Sequence, residues 1–90
     1  MFVIISYDIS EDKRRNRIFK ILKDYGQWIQ YSVFECDLDK EDYLKMRDRL
    51  ERTIDKDEDS IRFYFLCANC QDKIEKIGGP DKLFQDSIII

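Results

Sequence analysis

The stretch Gln27-Trp28-Ile29-Gln30-Tyr31-Ser32-Val33-Phe34-Glu35-Cys36-Asp37-Leu38 decides the fold. Its first half places Ile29, Tyr31 and Val33 on one parity, and its second half places Phe34, Cys36 and Leu38 on the other. Successive side chains of a strand point to opposite faces, so one unbroken strand cannot hold both sets against one core. The apolar phase flips at Val33–Phe34, which predicts a bulge or two short strands meeting near Ser32.

Upstream, Ile18, Ile21, Leu22 and Tyr25 recur at helical spacing. They predict a helix with Ser10 as N-cap, Glu11 and Asp12 at its positive end, and Gly26 just past its last turn near Tyr25. Residues 2–7, FVIISY, form an apolar run suited to a strand buried on both faces. Downstream, Asp39 is the N-cap of a second helix reaching about Ile54. Tyr43, Met46, Leu50 and Ile54 line its inner face, with Arg47, Arg49, Glu51 and Arg52 mostly in solvent. DKDEDS (55–60) reads as an acidic loop, and IRFYFLCA (61–68) as a strand with Ile61, Phe63, Phe65 and Cys67 on one face. Residues 71–77 suggest a helical turn or two, broken by Gly78-Gly79-Pro80, and SIII (87–90) is a β-prone tail.

The order is that of an α+β, ferredoxin-like split β-α-β sandwich (βαββαβ) with a C-terminal β tail, a single domain over residues 1–90. Two helices cover one face of an antiparallel sheet, yet Tyr64 and Leu66 put apolar groups on the other parity. The second face therefore needs a partner. A homodimer with its two sheets facing each other supplies one, and the SIII tail would pair with a sheet edge.

The 90 residues contain no histidine, three cysteines and a net charge of −3. Without histidine there is no Ser-His-Asp or Cys-His nucleophile pair and no His-based zinc site. Three cysteines cannot all pair, the first residues do not form a signal peptide, and no apolar run approaches a membrane span. The expectation is a reduced, cytoplasmic protein. Residues 1–27 carry six basic and four acidic residues, whereas residues 28–90 carry ten and fifteen. Phosphate binding follows such a local excess more than the mean charge.

Asp8 closes the first strand. A carboxylate there either caps a turn or acts as a hard oxygen ligand for Mg²⁺, and a two-fold axis near it would double the ligand count. Lys13, Arg14, Arg15 and Arg17 follow within about a turn. They are either solvated helix charges or a phosphate grip. A metal-holding carboxylate beside arginines is the layout that phosphodiester hydrolysis needs. Trp28, Tyr31 and Phe34 either stack on bases or fill the core and subunit interface. Cys67-Ala-Asn-Cys70 has the strand-then-helix context of a redox CxxC, but the parity of Cys67 predicts buried small side chains. Zinc would need further ligands, with only Cys36 left as a third sulfur.

YDIS (7–10), the basic first helix, GQWIQYSVFECDL (26–38) and DSIRFY (59–64) together resemble the CRISPR-associated endoribonuclease family, the small partner of the CRISPR integrase in spacer acquisition. The resemblance runs the length of the chain, and Gln30-Tyr31-Ser32-Val33-Phe34-Glu35 is its most specific piece. It implies a homodimer in which Asp8 and its symmetry mate reach one Mg²⁺ or Mn²⁺ near the dimer axis. It also implies that Tyr7, Arg15, Arg17 and Phe34 lie near the active cleft, with Arg15 and Arg17 neutralising phosphate. Trp28 stands where some members have a basic residue. The implied activity is metal-dependent endonuclease action on single-stranded RNA, duplex DNA or both, in concert with the integrase. The alternatives are a catalytically inactive DNA-binding scaffold of the integration complex, a toxin-like ribonuclease of the same fold, and a small-molecule-binding regulatory domain without a basic cleft.

Overall fold

The phase flip is a hairpin. The structure, a computed structural model, describes residues 1–78. Its elements are β1 (Phe2–Asp8), α1 (Asp12–Lys23), β2 (Gln27–Gln30), β3 (Val33–Asp37), α2 (Lys40–Thr53), β4 (Ser60–Leu66) and a single turn, α3 (Ala68–Gln71). Tyr31 and Ser32 form the tip between β2 and β3. Trp28 pairs with Phe34 and Gln30 with Val33, so Ile29 is the extra residue of a bulge. The bulge restores the phase and lets Trp28 and Phe34 share a face.

The sheet order is β2-β3-β1-β4 with every neighbouring pair antiparallel. β3 separates the two strands that α1 connects, which is the split β-α-β arrangement expected. Val3, Ile5 and Tyr7 of β1 and Phe34 and Cys36 of β3 turn toward the helices. There they meet Ile18, Ile21 and Leu22 of α1 and Tyr43, Met46 and Leu50 of α2. The other parity of β1, Phe2, Ile4 and Ser6, is only half-buried, and Tyr64 beside Ile4 is exposed. One face of the sheet is thus apolar and uncovered among the described residues. The expected SIII tail lies outside those residues.

The expected cap of α2 holds. Asp39 Oδ1 accepts the amide of Asp42 at 2.8 Å and starts α2. Arg49 of α2 bonds Asp24 at 3.0 Å and sits 5.5 Å over the Tyr25 ring, joining the helices at their outer ends. Other expectations change. Ser10 is not the N-cap of α1; Glu11 is, without a side-chain bond. Gly26 does not adopt a left-handed turn, and its amide still reaches the Leu22 carbonyl at 2.9 Å. Its need for glycine is spatial: a Cβ would stand 2.3 Å from Cys36 Sγ and 2.4 Å from the Glu35 carbonyl oxygen.

The acidic 55–60 segment is also not a simple solvated loop. The Asp59 side chain is 0% exposed. It accepts Arg14 Nε at 2.7 Å and Arg14 Nη2 at 3.1 Å. Ser10 adds its amide at 3.1 Å and its hydroxyl at 3.3 Å, and Asp55 its amide at 2.9 Å. The Arg14 guanidinium and these amides hold the Asp59 carboxyl well below the usual carboxylate range.

Two outcomes follow from this packing. Gly26→Ala should cost about 3 kcal/mol, in the upper part of the range for overpacking, because backbone as well as a side chain must move. A lowered urea midpoint at unchanged slope would show it. Asp59 stays ionised in the folded state to lower pH than in the unfolded chain. Its contribution is therefore complete above the unfolded value, about 3.9, and fades as pH falls toward the folded one. Asp59→Asn should be less stable than wild type at pH 7, with the gap closing below about pH 4; urea midpoints at both pH values measure it.

Candidate functional site

Asp8 is the last residue of β1 and pairs in register with Ser60. Strand alternation turns its side chain away from the helices, to the side opposite Tyr7. The side chain is exposed, and its carboxylate has no hydrogen-bond or ion-pair partner among the described residues. Two hard oxygens are thus offered to solvent at the end of the central part of the sheet. Their chemistry fits Mg²⁺ or Mn²⁺, which bind one or two carboxylates and fill the remaining positions with water and phosphate oxygens. No group of three metal-binding side chains gathers among the described residues.

The other residues lie around the corner of the sheet. Tyr7, Arg15, Asn16, Phe19, Trp28, Tyr31 and Ser32 line a cleft of about 230 Å³ between the start of α1 and the hairpin tip. Burial pushes the Tyr7 phenol up, partly offset by its hydrogen bond with Ser32 and by the Arg15 charge. It stays protonated at neutral pH and can donate a hydrogen bond. Arg15 bonds Asp12 Oδ1 at 2.6 Å and the Ile9 carbonyl at 3.1 Å. Those bonds fix its guanidinium at the mouth of the cleft while half of it remains in solvent. Arg17 is exposed.

The three aromatics of the hairpin have three different roles. Phe34 is 0% exposed. It cannot touch a ligand from there, so its expected place in a nucleic-acid contact set is corrected to that of a supporting wall. Its ring lies 6.3 Å from Tyr7 and 5.3 Å from Phe19. Trp28 is half-buried in the cleft, and its Nε1 donates to the Tyr31 carbonyl at 2.8 Å. Tyr31 is 87% exposed at the tip, with a left-handed φ of 42° that bulky residues rarely adopt. The Trp28 hydrogen bond helps hold it there.

Arg14, expected to bind nucleic acid, points elsewhere. Its guanidinium is committed to Asp59, and Glu11 and Glu58 stand 3.5 and 3.7 Å away. Arg14 therefore holds the loop that follows Asp8, and Arg15 and Arg17 are the arginines of this helix left facing solvent. Sequence reasoning missed Asp59, because nothing in a run of acidic residues marks the one that folds inward. It also missed Asn16 and Phe19, which helical spacing alone does not single out. A second hollow of about 260 Å³, between α2 and β4, is lined by the ion-paired Arg47 and Glu51 and carries none of the expected site residues.

The cysteines divide as well. Cys36 is buried, and desolvation together with the charge of Glu35 pushes its thiol up to about 12. Cys67 and Cys70 are both exposed, contrary to the expectation of buried small side chains. The reason is that β4 outruns its cover: Ile61 and Phe63 pack on the core, whereas Phe65 is already 54% exposed.

Comparison with known proteins agrees with this architecture. The family described as CRISPR associated protein Cas2 matches residues 1–74. CRISPR-associated endoribonuclease Cas2 1 of Chloroflexus aurantiacus is 50% identical over 93 residues, covering 100% of both chains. The crystal structure of Streptococcus pyogenes Cas2 at pH 6.5 aligns with a TM-score of 0.77 at 38% identity, covering 87% of this chain and 100% of that one. A chain of a partial Cas6-RT-Cas1–Cas2 complex aligns with a TM-score of 0.73 at 28% identity, covering 84% of this chain and 83% of that one. The split sheet, the aspartate ending its first strand and the full-length sequence match lead to one conclusion: this chain belongs to the CRISPR-associated Cas2 family.

Proposed function

We propose that the chain is a metal-dependent endonuclease of CRISPR adaptive immunity, working in the cytoplasm as a homodimer together with the CRISPR integrase. The observation that carries this is the Asp8 carboxylate, exposed and without a partner among the described residues, at the end of a strand whose uncovered face is apolar. Stacking two such faces closes the core and brings two copies of Asp8 toward one axis. Asp8 of the two copies would hold Mg²⁺ or Mn²⁺, and the ion when bound supplies Lewis-acid polarisation of the scissile phosphate.

The chain's own residues do the rest. Arg15, fixed by Asp12 and the Ile9 carbonyl, presents a charged fork to a phosphate, and Arg17 adds a mobile charge on the same helix. Tyr7 keeps its proton and donates a hydrogen bond at the cleft wall. Tyr31 presents an aromatic face on which an unpaired base can stack. No imidazole exists to accept a proton, so protons leave to solvent. Single-stranded RNA is the first substrate, as the endoribonuclease name of the relatives suggests, and duplex DNA the second.

A second reading is a non-catalytic, DNA-holding member of the integration complex. The Cas1-containing neighbour favours it, and Asp8 would then be dispensable for spacer acquisition.

Asp8→Asn should lower Mg²⁺-dependent cleavage of end-labelled single-stranded RNA by at least about 100-fold, since losing a direct ligand exceeds the 10–100-fold cost of losing an outer-shell partner. EDTA should do the same to wild type. Stability should stay within about 0.5 kcal/mol, because the side chain has no partner to lose. Equal cleavage by wild type, variant and chelated samples would sink the nuclease reading. Tyr64→Lys, an exposed position on the uncovered face, should turn a dimer into a monomer in sedimentation velocity; a wild-type monomer at micromolar concentration would refute the dimer.

A further inference from the structure

Cys67 and Cys70 stand outside all the roles assigned above. Cys67 follows the last residue of β4, and Cys70 lies one turn later in α3. Their sulfurs are 3.2 Å apart and share a hydrogen bond, and both side chains are exposed. The backbone between them is already closed: the Cys70 and Gln71 amides donate to the Cys67 carbonyl at 3.0 and 3.1 Å. A disulfide of about 2.05 Å needs the sulfurs to approach by only about 1 Å, by side-chain rotation within that turn.

We propose that Cys67 and Cys70 form a redox-active dithiol whose reaction partner is a low-molecular-weight disulfide. Two further observations set the roles of the sulfurs. The Cys70 thiol and the Cys70 and Asn69 amides hold the Cys67 thiol below its ordinary value, while Cys70 is pushed up by the sulfur it serves. The thiolate is the attacking species in such exchange, so Cys67 attacks and Cys70 resolves.

The Cys67 thiolate attacks one sulfur of R–S–S–R. A Cys67–S–S–R bond forms, and RS⁻ leaves and takes up the proton that Cys67 lost. Cys70 then gives up its proton and attacks the Cys67 sulfur. The Cys67–Cys70 bond forms, the bond to R breaks, and a second RSH departs. Two protein thiols are oxidised, one disulfide is reduced to two thiols, and no other oxidant is required. The closed ring fixes the direction in which the chain leaves the outer strand of the sheet.

Cys36 is an internal control, because its buried thiol, pushed up to about 12, is inert in the folded protein. The test uses the full chain, reduced and then held in oxidised glutathione, quenched with iodoacetamide and mapped by mass spectrometry. The expected wild-type product is a Cys67–Cys70 disulfide, with Cys36 alkylated only after unfolding. Cys70→Ser should stop at a glutathione adduct on Cys67, and Cys67→Ser should form its adduct at Cys70 at least about 3-fold more slowly, because Cys70 is freed from the push of Cys67 but lacks the Asn69 and Cys70 amides that hold Cys67 low. Native alkylation of Cys67 should rise with pH about a midpoint below the ordinary ~8.5. The proposal is overturned if wild type remains a dithiol throughout a glutathione redox series. It is equally overturned if the Cys70→Ser adduct forms no faster than in urea-unfolded chain. Neither result bears on Asp8 or on cleavage, so the nuclease reading stands or falls separately.

Discussion

The Asp59 carboxylate ties together two stretches of chain that are 45 or more residues apart in sequence. From the loop before β4 it reaches the amide and hydroxyl of Ser10 and the guanidinium of Arg14. The residues between Asp8 and α1 are too few to form an element of their own, and most of their backbone groups have no helix or strand to satisfy them. Asp59 supplies that missing partner. With Ser10 and Arg14 held, the first turn of α1 has one place to start, and Arg15 follows from it. The cleft and the end of β1 inherit their geometry from a residue that lies in neither.

The same economy explains why the site looks incomplete. A chain of this size has little interior to spend on one face of a sheet, let alone two. The helices complete one side, where Phe19 packs edge to face on Phe34 and Tyr7 lies tilted against it. The other side stays apolar and half-wet. In the proposed dimer, an aspartate at the margin of that surface would have solvent on one side and a second subunit on the other. The proposed catalysis and the proposed assembly thus draw on one feature, the face that one copy cannot bury.

The parts of this that were legible in the sequence share a physical cause. The phase flip at Val33–Phe34 showed because a strand alternates strictly, and a break in alternation has few structural causes. α2 showed because cap and apolar stripe agree at Asp39, Tyr43, Met46 and Leu50. Asp8 was legible because its place at a strand end needs only local order. What stayed hidden depends on distance through space. Ser10 looks like a helix cap until Asp59 competes for its amide. Gly26 looks like a helix stop until Cys36 is folded against it. Cys67 has buried parity, but parity says nothing about where the covering helix ends. Phe34 has the same aromatic chemistry as Tyr31, and only packing separates a wall from an exposed platform.

The place of β1 in the sheet has one more effect, on motion. β1 is hydrogen-bonded on both sides, to β3 and to β4, along nearly its whole length. Such a backbone opens only when the whole domain does, and its amides are among the slowest to exchange with solvent. Among the described residues β4 is paired on one side only and ends in an exposed turn, so less backbone bonding holds it. The carboxylate and the thiol pair therefore keep different clocks. The aspartate sits two residues past the doubly bonded part of β1, and the sulfurs lie beyond the end of β4 in an exposed turn.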